Sequence, residues 1–339
     1  PGSCFPMVAK RMPRYWLRRG LISWALWPVE TLFGVIVRLR RYAYQHGWIA
    51  RIDLGVPVLV VGNLTVGGTG KTPLVLWLVD RLREQGFQPG IVSRGYGAKP
   101  GRQPISVTAD STAAQVGDEP LLLARRSACP VMIHPDRVKA ARALLATHSV
   151  DMIVSDDGLQ HYRLARDLEI NVLDGQRRYG NGRLLPAGPL REPLNRLRSI
   201  DFTVCNGGHP GPGEAAMSLH GDNAISVAEP LRVRSLGRFG EGARVHAVAG
   251  IGNPVRFFAH LRGAGLVPIE HPFPDHHAFS ADDFAFADTL PIIMTEKDAV
   301  KCLNVCGPNA WYVPVQAWLD CEFTQGIVQA VREMGAVHS

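Results

Sequence analysis

No Cys-x-x-Cys pair occurs among the six cysteines, at positions 4, 129, 205, 302, 306 and 321. Cys302 and Cys306 stand one helical turn apart without a second such pair. A zinc ribbon or a disulfide framework is therefore not expected, and all six are read as reduced, as in a cytosolic protein. Internal repeats and low-complexity tracts are missing too. With 46% apolar residues and a mean hydropathy of +0.01, the chain is not a disordered one. An apolar run long enough for a confident transmembrane helix is also lacking: Leu21–Val37 has 17 residues and contains Pro28 and Glu30. No small-residue cleavage site follows that run, so a signal peptide is not expected. Nor is there an aromatic-rich basic sheet or a recognition helix, which argues against a nucleic-acid partner.

Acidic residues are scarce in one place. Residues 1–51 carry nine Lys and Arg against the single acid Glu30, a local +8 in a chain of total +7. The remainder is close to neutral, so the basicity belongs to an N-terminal arm and not to the body. Trp16, Trp24, Trp27 and Phe33 lie in that arm among apolar residues, with arginines at both ends. That pattern fits a helix lying in an anionic membrane interface; a helix packed on the main domain is the alternative. Met12 reads as a natural start, with 1–11 as an upstream remnant.

From Val56 onward, Val- and Ile-rich runs alternate with helical stretches. Strands are expected at Val58–Val61, Gly90–Ser93, Val131–Ile133, Met152–Ser155 and Glu169–Leu173. Helices are expected at Thr72–Gln85, Glu119–Ala128 and Arg137–Thr147. Runs without polar alternation suit strands buried on both faces, hence a parallel sheet with helices on both sides. The stretch NGGHPGPGE at 206–214 reads as a linker to a smaller α/β unit. That unit has expected strands near Val245–Ala249, Val267–Glu270, Ile292–Met294 and Trp311–Val313, and helices near Pro254–Arg262 and Thr324–Met334. The domain expectation is an arm at 12–50, a core at 51–205, a smaller domain at 206–320 and a C-terminal helix at 321–339 packing back on the core.

The strongest signal is VLVVGNLTVGGTGKTP, residues 58–73. A buried strand enters a loop with Gly67, Gly68, Thr69 and Gly70, then Lys71 and Thr72 open a helix. Glycines let backbone amides cradle phosphate oxygens, and the helix N-terminus adds its dipole. Lys71 is placed to reach the β and γ phosphates of ATP, and Thr72 to hold Mg²⁺. The usual first glycine of this pattern is replaced by Thr65. A second acidic strand end, Asp156-Asp157-Gly158, can bring a carboxylate to the same cation, with Asp156 preferred over Asp157. Asp118 and Glu119 open a further helix, as caps or as chemistry. His271, Asp275, His276 and His277 form a loop that suits either a general-base helper or a zinc site.

These runs, with SRGYG at 93–97, GDEP at 117–120, DDGLQH at 156–161, GRLLPAGPLREP at 182–193, FPDHHAF at 273–279 and TEKDAVK at 295–301, together resemble the tetraacyldisaccharide 4′-kinase family. The resemblance implies an α/β fold: a P-loop NTPase-like parallel sheet, a smaller α/β C-terminal domain and an N-terminal membrane-associating helix. It implies transfer of the ATP γ-phosphate to the 4′-hydroxyl of a lipid A disaccharide precursor, at the cytoplasmic face of the bacterial inner membrane. It implies an Asp118–His276 catalytic pair acting with Lys71, with His277 as the neighbouring choice for the histidine. Magnesium would be held by Thr72, Asp156, Asp157 and Glu119, and the lipid by Tyr96, Arg137, His161 and Arg191. The competing reading is a deviant-Walker ATPase acting as a membrane-associated switch. Such proteins place a lysine where this chain has Val66. A GTPase is disfavoured because Thr295–Asp298 has the guanine-reading letters at the wrong spacing.

Overall fold

A computed structural model describes residues 13–97, 101 and 103–338; Met12 and Cys4 lie outside them. Three helices come first: the short α1 (Arg14–Leu17) and α2 (Leu21–Ala25) and the long α3 (Trp27–Gln45). The single arm helix expected from the sequence is broken because Arg18 and Gly20 are extended and Pro28 sits in the first turn of α3, where a missing N–H is harmless. These helices are tied to the body. Trp16 Nε1 donates to Pro186 O (2.9 Å), Asn181 Nδ2 to Tyr15 O (2.8 Å), and Glu30 accepts from Arg183 and from the Leu184 amide (2.9 Å each). Their outer face is apolar and open: Leu21, Trp24, Trp27, Leu32, Ile36 and Leu39 are exposed. Among the described residues no helix is long and apolar enough to cross a membrane.

The main sheet grows from runs too apolar for one-sided burial. β1 (Val58–Gly62), β2 (Pro89–Ser93), β4 (Val131–Ile133), β5 (Met152–Asp156) and β6 (Leu168–Asp174) are buried along their whole length. α4 (Lys71–Glu84), α6 (Asp118–Ser127) and α7 (Arg137–Thr147) lie between them, as expected. Gly86, at φ 91°, lets the chain turn away after α4. β3 (Ile105–Val107) and α5 (Ala113–Val116) escaped the sequence reading. β7 (Phe202–Asn206), β8 (Glu214–His220) and β15 (Gln316–Leu319) complete the order β15-β8-β7-β6-β1-β5-β2-β4-β3. Pairing is parallel except at the two edges, where β15 and β3 run antiparallel.

A second sheet has the order β10-β9-β14-β13-β11-β12, formed by β9 (Asn223–Ser226), β10 (Val233–Ser235), β11 (Arg244–Ala249), β12 (Val267–Pro272), β13 (Ile292–Thr295) and β14 (Ala310–Val313). α8 (Pro254–Gly263) and α9 (Glu296–Cys302) serve it. α10 (Cys321–His338) closes the chain; Phe323, Ile327 and Val331 join the core formed by Leu74, Leu78 and Leu121 of α4 and α6. Val138 and Leu144 of α7 build the core on the opposite face, with Phe33 of α3 against it.

The expected break at 205/206 falls inside the main sheet. Residues 207–213 do not link two units; they double back so that β8 pairs in parallel with β7, Thr203 opposite Glu214. Gly207, Gly208 and Gly213 at φ 67°, 68° and 73° make that return possible. The chain leaves the main sheet after β8 and returns to it as β15.

Candidate active site

The loop between β1 and α4 is held from outside. Asn63 Nδ2 donates to Gly67 O (3.3 Å), Arg177 to Gly68 O, and Asn206 Nδ2 to Thr69 O (2.9 Å). In a trans peptide the next N–H points opposite its carbonyl, so the amides of Gly68, Thr69 and Gly70 turn inward. Gly70 has φ 92°, and an added Cβ there would stand 2.2 Å from Asn206 Nδ2. Thr69 Oγ1 is buried without a partner. Turned-in amides, an orphaned hydroxyl and Lys71 and Thr72 in the first turn of α4 fit a phosphate ligand. Thr65 stands in place of a glycine because its backbone bridges Leu190 instead of turning at that point.

Lys71 Nζ lies 3.5 Å from Asp157 Oδ1 and 3.4 Å from Asn63 Oδ1. Arg191 Nη1 donates to both Asp157 oxygens, at 3.0 and 3.2 Å. Burial alone would raise the Asp157 carboxyl, but Lys71 and Arg191 outweigh it and bring it below the usual range. Asp156 is the opposite case. Burial, then the charge of Glu119, pushes its carboxyl well above that range. Its Oδ2 accepts from Ser93 Oγ (3.2 Å), while Oδ1 is buried without a partner. A buried carboxylate under the charge of another acid, whose pull upward the charges of Lys71 and Arg137 do not offset, fits Mg²⁺, and Asp157 is already neutralised. The residues present thus support Asp156 with Glu119 and Thr72 over Asp157.

Across the cleft, His276 Nδ1 sits 3.0 Å from both Asp118 oxygens. Asp118 is 4% exposed, at the start of α6 behind Gly117. Gly117 has φ 88°, and a Cβ there would meet Tyr96 O at 2.5 Å, so only glycine lets the chain bring Asp118 to this place. Burial would raise Asp118, but the hydrogen bond from His276 and the charges of Lys297 and Lys301 hold it at about 2. His276 is moved the other way: burial lowers it, and the bond to Asp118 more than restores it, above its ordinary value. His276 and Asp157 both occupy the left-handed region, φ 62° and 48°, the kind of strain that concentrates at functional sites. His277 faces elsewhere, pairing with Asp283 at 3.1 Å. Among the described residues no cluster of three or more His, Cys, Asp or Glu could hold a metal ion, so the zinc alternative for this loop gains no support.

The four expected lipid contacts divide. Tyr96 is exposed, its ring 4.8 Å from that of His276. Arg191 lines the same cleft through Asp157. Arg137 departs from its expected role: it is 3% exposed and donates to the carbonyls of Pro135, Asp156 and Asp157, bracing the acidic turn from behind. The cause is its place at the first position of α7, beneath the end of β5. His161 lies beside it, 3.6 Å from Asp136, and is lowered to about 4 by burial and by the charge of Arg137.

The sequence reading assigned no role to Asn63, Arg177, Asn206 or Lys297. The first three act by holding loop carbonyls, and a lone Asn or Arg in a loop carries no pattern. Lys297 lay inside the TEKDAVK run, which alone could have pointed to it. Asp298 of that run is a structural residue, fully buried and bound to Thr295 Oγ1 and the Gly250 amide.

A model of the family described as "Tetraacyldisaccharide-1-P 4'-kinase" matches residues 22–332. A protein named tetraacyldisaccharide 4′-kinase from Alkalilimnicola ehrlichii is 53% identical over 314 residues, 90% of this chain and 92% of its own. One of the same name from Nitrosococcus oceani is 49% identical over 320 residues, 94% of each chain. Among solved structures, LpxK from Aquifex aeolicus in complex with ATP superposes with a TM-score of 0.78 at 28% identity, covering 93% of this chain and 99% of that one. By these matches, which span the sheet, the phosphate loop and the Asp118–His276 pair alike, the chain belongs to the tetraacyldisaccharide-1-P 4′-kinase family.

Proposed function

We propose that this chain transfers the γ-phosphate of ATP to the 4′-hydroxyl of a tetraacylated glucosamine disaccharide 1-phosphate, at the cytoplasmic face of the inner membrane. The observation that carries the reading is that the phosphate loop and the Asp118–His276 pair are drawn together: Gly68 of the loop lies against Gly252, beside Asp275 next to His276, and the charge of Glu119, next to Asp118, is felt at Asp156. The inward amides of 68–70 and Lys71 would grip the triphosphate, and Lys71 and Arg191 supply charge that suits a phosphoryl group in transfer. Thr72, Asp156 and Glu119 would hold Mg²⁺, which supplies charge neutralisation between the phosphates. The acceptor hydroxyl is a weak nucleophile, and the Asp118–His276 pair takes its proton. Tyr96, beside His276, offers a ring on which a sugar face can rest. The open apolar face of α2 and α3, flanked by Arg14, Arg18, Arg19, Arg38, Arg40 and Arg41, supports seating on an anionic surface.

Labelled ATP, Mg²⁺ and a lipid A disaccharide monophosphate in mixed micelles test this directly. Labelled lipid is the expected product. ATP hydrolysis with no lipid product, at any acceptor concentration, would favour the switch-ATPase reading instead.

A further inference from the structure

Lys297 stands where three carboxylates meet. Its Nζ lies 2.8 Å from Glu119 Oε1, 3.1 Å from Asp275 Oδ1 and 3.9 Å from Asp118 Oδ2. The partners come from distant parts of the chain: the first turn of α6, and the loop that carries His276. Lys297 itself sits in the first turn of α9, on the second sheet. A cation in the first turn opposes the helix dipole, so α9 gains nothing from it locally. Its side chain is only 17% exposed. Three carboxylates this close in a poorly hydrated place repel one another unless a cation stands among them. A compact ammonium with three donors meets that need. Two of the three meet His276, Asp118 at its Nδ1 and Asp275 3.8 Å from its Nε2; the charge of the third, Glu119, is felt at buried Asp156.

We propose that Lys297 is a positioning residue for the transfer reaction: a resident cation that fixes the Asp118–His276 pair from the opposite sheet and shares Glu119 with the divalent cation. The proposal rests on the kinase reading of this cleft. Glu119 cannot give its full charge to two cations at once. Lys297 therefore holds the divalent affinity of the empty enzyme down while it keeps the proton-accepting pair in register. Removing its charge moves those two properties in opposite directions, whereas a merely structural lysine would weaken both.

The test uses the full chain with Lys297→Met and Lys297→Arg. Mn²⁺ binding to the nucleotide-free protein is followed by electron paramagnetic resonance, which needs no turnover, and kinetics are measured with ATP and the lipid. Lys297→Met is expected to bind Mn²⁺ more tightly while kcat falls roughly 10- to 100-fold, the usual cost of losing a supporting partner. The KM for ATP should change far less than kcat. Lys297→Arg, which keeps the charge, should hold Mn²⁺ affinity near that of the parent and recover part of kcat. Weaker or unchanged Mn²⁺ binding in Lys297→Met, or a kcat within twofold of the parent, overturns the proposal. Should Lys297→Met not fold by thermal melting, Asp275→Asn decides. With one fewer carboxylate to serve, Lys297 should hold Glu119 more firmly and Mn²⁺ should bind less tightly; tighter binding would refute the idea. Failure of the unaltered chain to phosphorylate lipid would count against the kinase reading alone.

Discussion

His276 and Asp118 are one chemical unit, and their energetics should say so. Single replacements Asp118→Ala and His276→Ala are expected to lower kcat far more than they raise KM. The double variant should be little worse than the worse single one, because the second loss removes a group already disabled. Multiplicative losses in steady-state kinetics would mean the two act separately. The pair was legible in the sequence only as two short runs 158 positions apart; nothing in either run says they meet, and the choice of His276 over His277 came from position in the run. Geometry supplies the reason, since the two rings leave the backbone toward different acids. A second titration concerns His161. Its folded pKa of about 4 lies below its ordinary 6.5, through burial and then Arg137. The unfolded chain therefore binds the proton first as pH falls, and stability drops between about pH 6.5 and 4, with no contribution above that window. His161→Gln should lose Tm less steeply across it. Parallel Tm-versus-pH curves for the two proteins would show that His161 is not buried as described.

Elements buried on both sides announce themselves. β1, β2, β4, β5 and β6 each appeared in the sequence as a short Val-, Ile- or Leu-containing run without regular polar alternation, and their bounds were read within a residue. β8 did not, because only Met217 of Glu214–His220 is buried and the strand follows a Gly/Pro stretch that resembles a tether. α9 was missed for another reason: seven residues are too few to show a helical period, and its apolar face is mixed with charges. The N-terminal helices were legible as chemistry but not as geometry. Composition indicated an apolar, arginine-flanked segment; only the contacts of Trp16 and Glu30 reveal that its other side is docked. The proposed membrane seating then has two terms. Arginines near an anionic surface contribute ~1 kcal/mol each and are screened by salt, while the apolar face is not. Replacing Leu21, Trp27 and Leu32 by Ser, all exposed at 54% or more, should leave the fold and ATP affinity unchanged. Co-sedimentation with anionic vesicles at high salt should then be largely lost. Sedimentation equal to that of the parent would place the membrane contact elsewhere.

At the scale of the molecule, the two sheets meet at the cleft through a few polar fasteners: Lys297 with Glu119, Arg126 with Glu296 (2.6 Å), and Arg256 with Asn206 O (2.8 Å). Backbone meets backbone as well, for a Cβ added at Gly252 would stand 2.8 Å from the Gly68 amide. None of these is visible in a linear reading, because each joins segments whose own patterns are complete without it. Residues 181–191 hold Trp16, Glu30 and Tyr15 of the arm at one end and, through Arg191, the acidic turn at the other. On the membrane seating proposed above, a single strip bonded to both the anchor and the reactive groups would hold them at a set height above the bilayer. On the proposed seating the protein would meet its acceptor by lateral encounter in two dimensions, so that crowding within the film and not molarity in the flask would govern its speed. Diluting the acceptor with inert detergent, at constant bulk amount, should therefore slow the reaction in proportion to the acceptor's mole fraction. A rate indifferent to that dilution would mean the lipid is drawn out and met in solution.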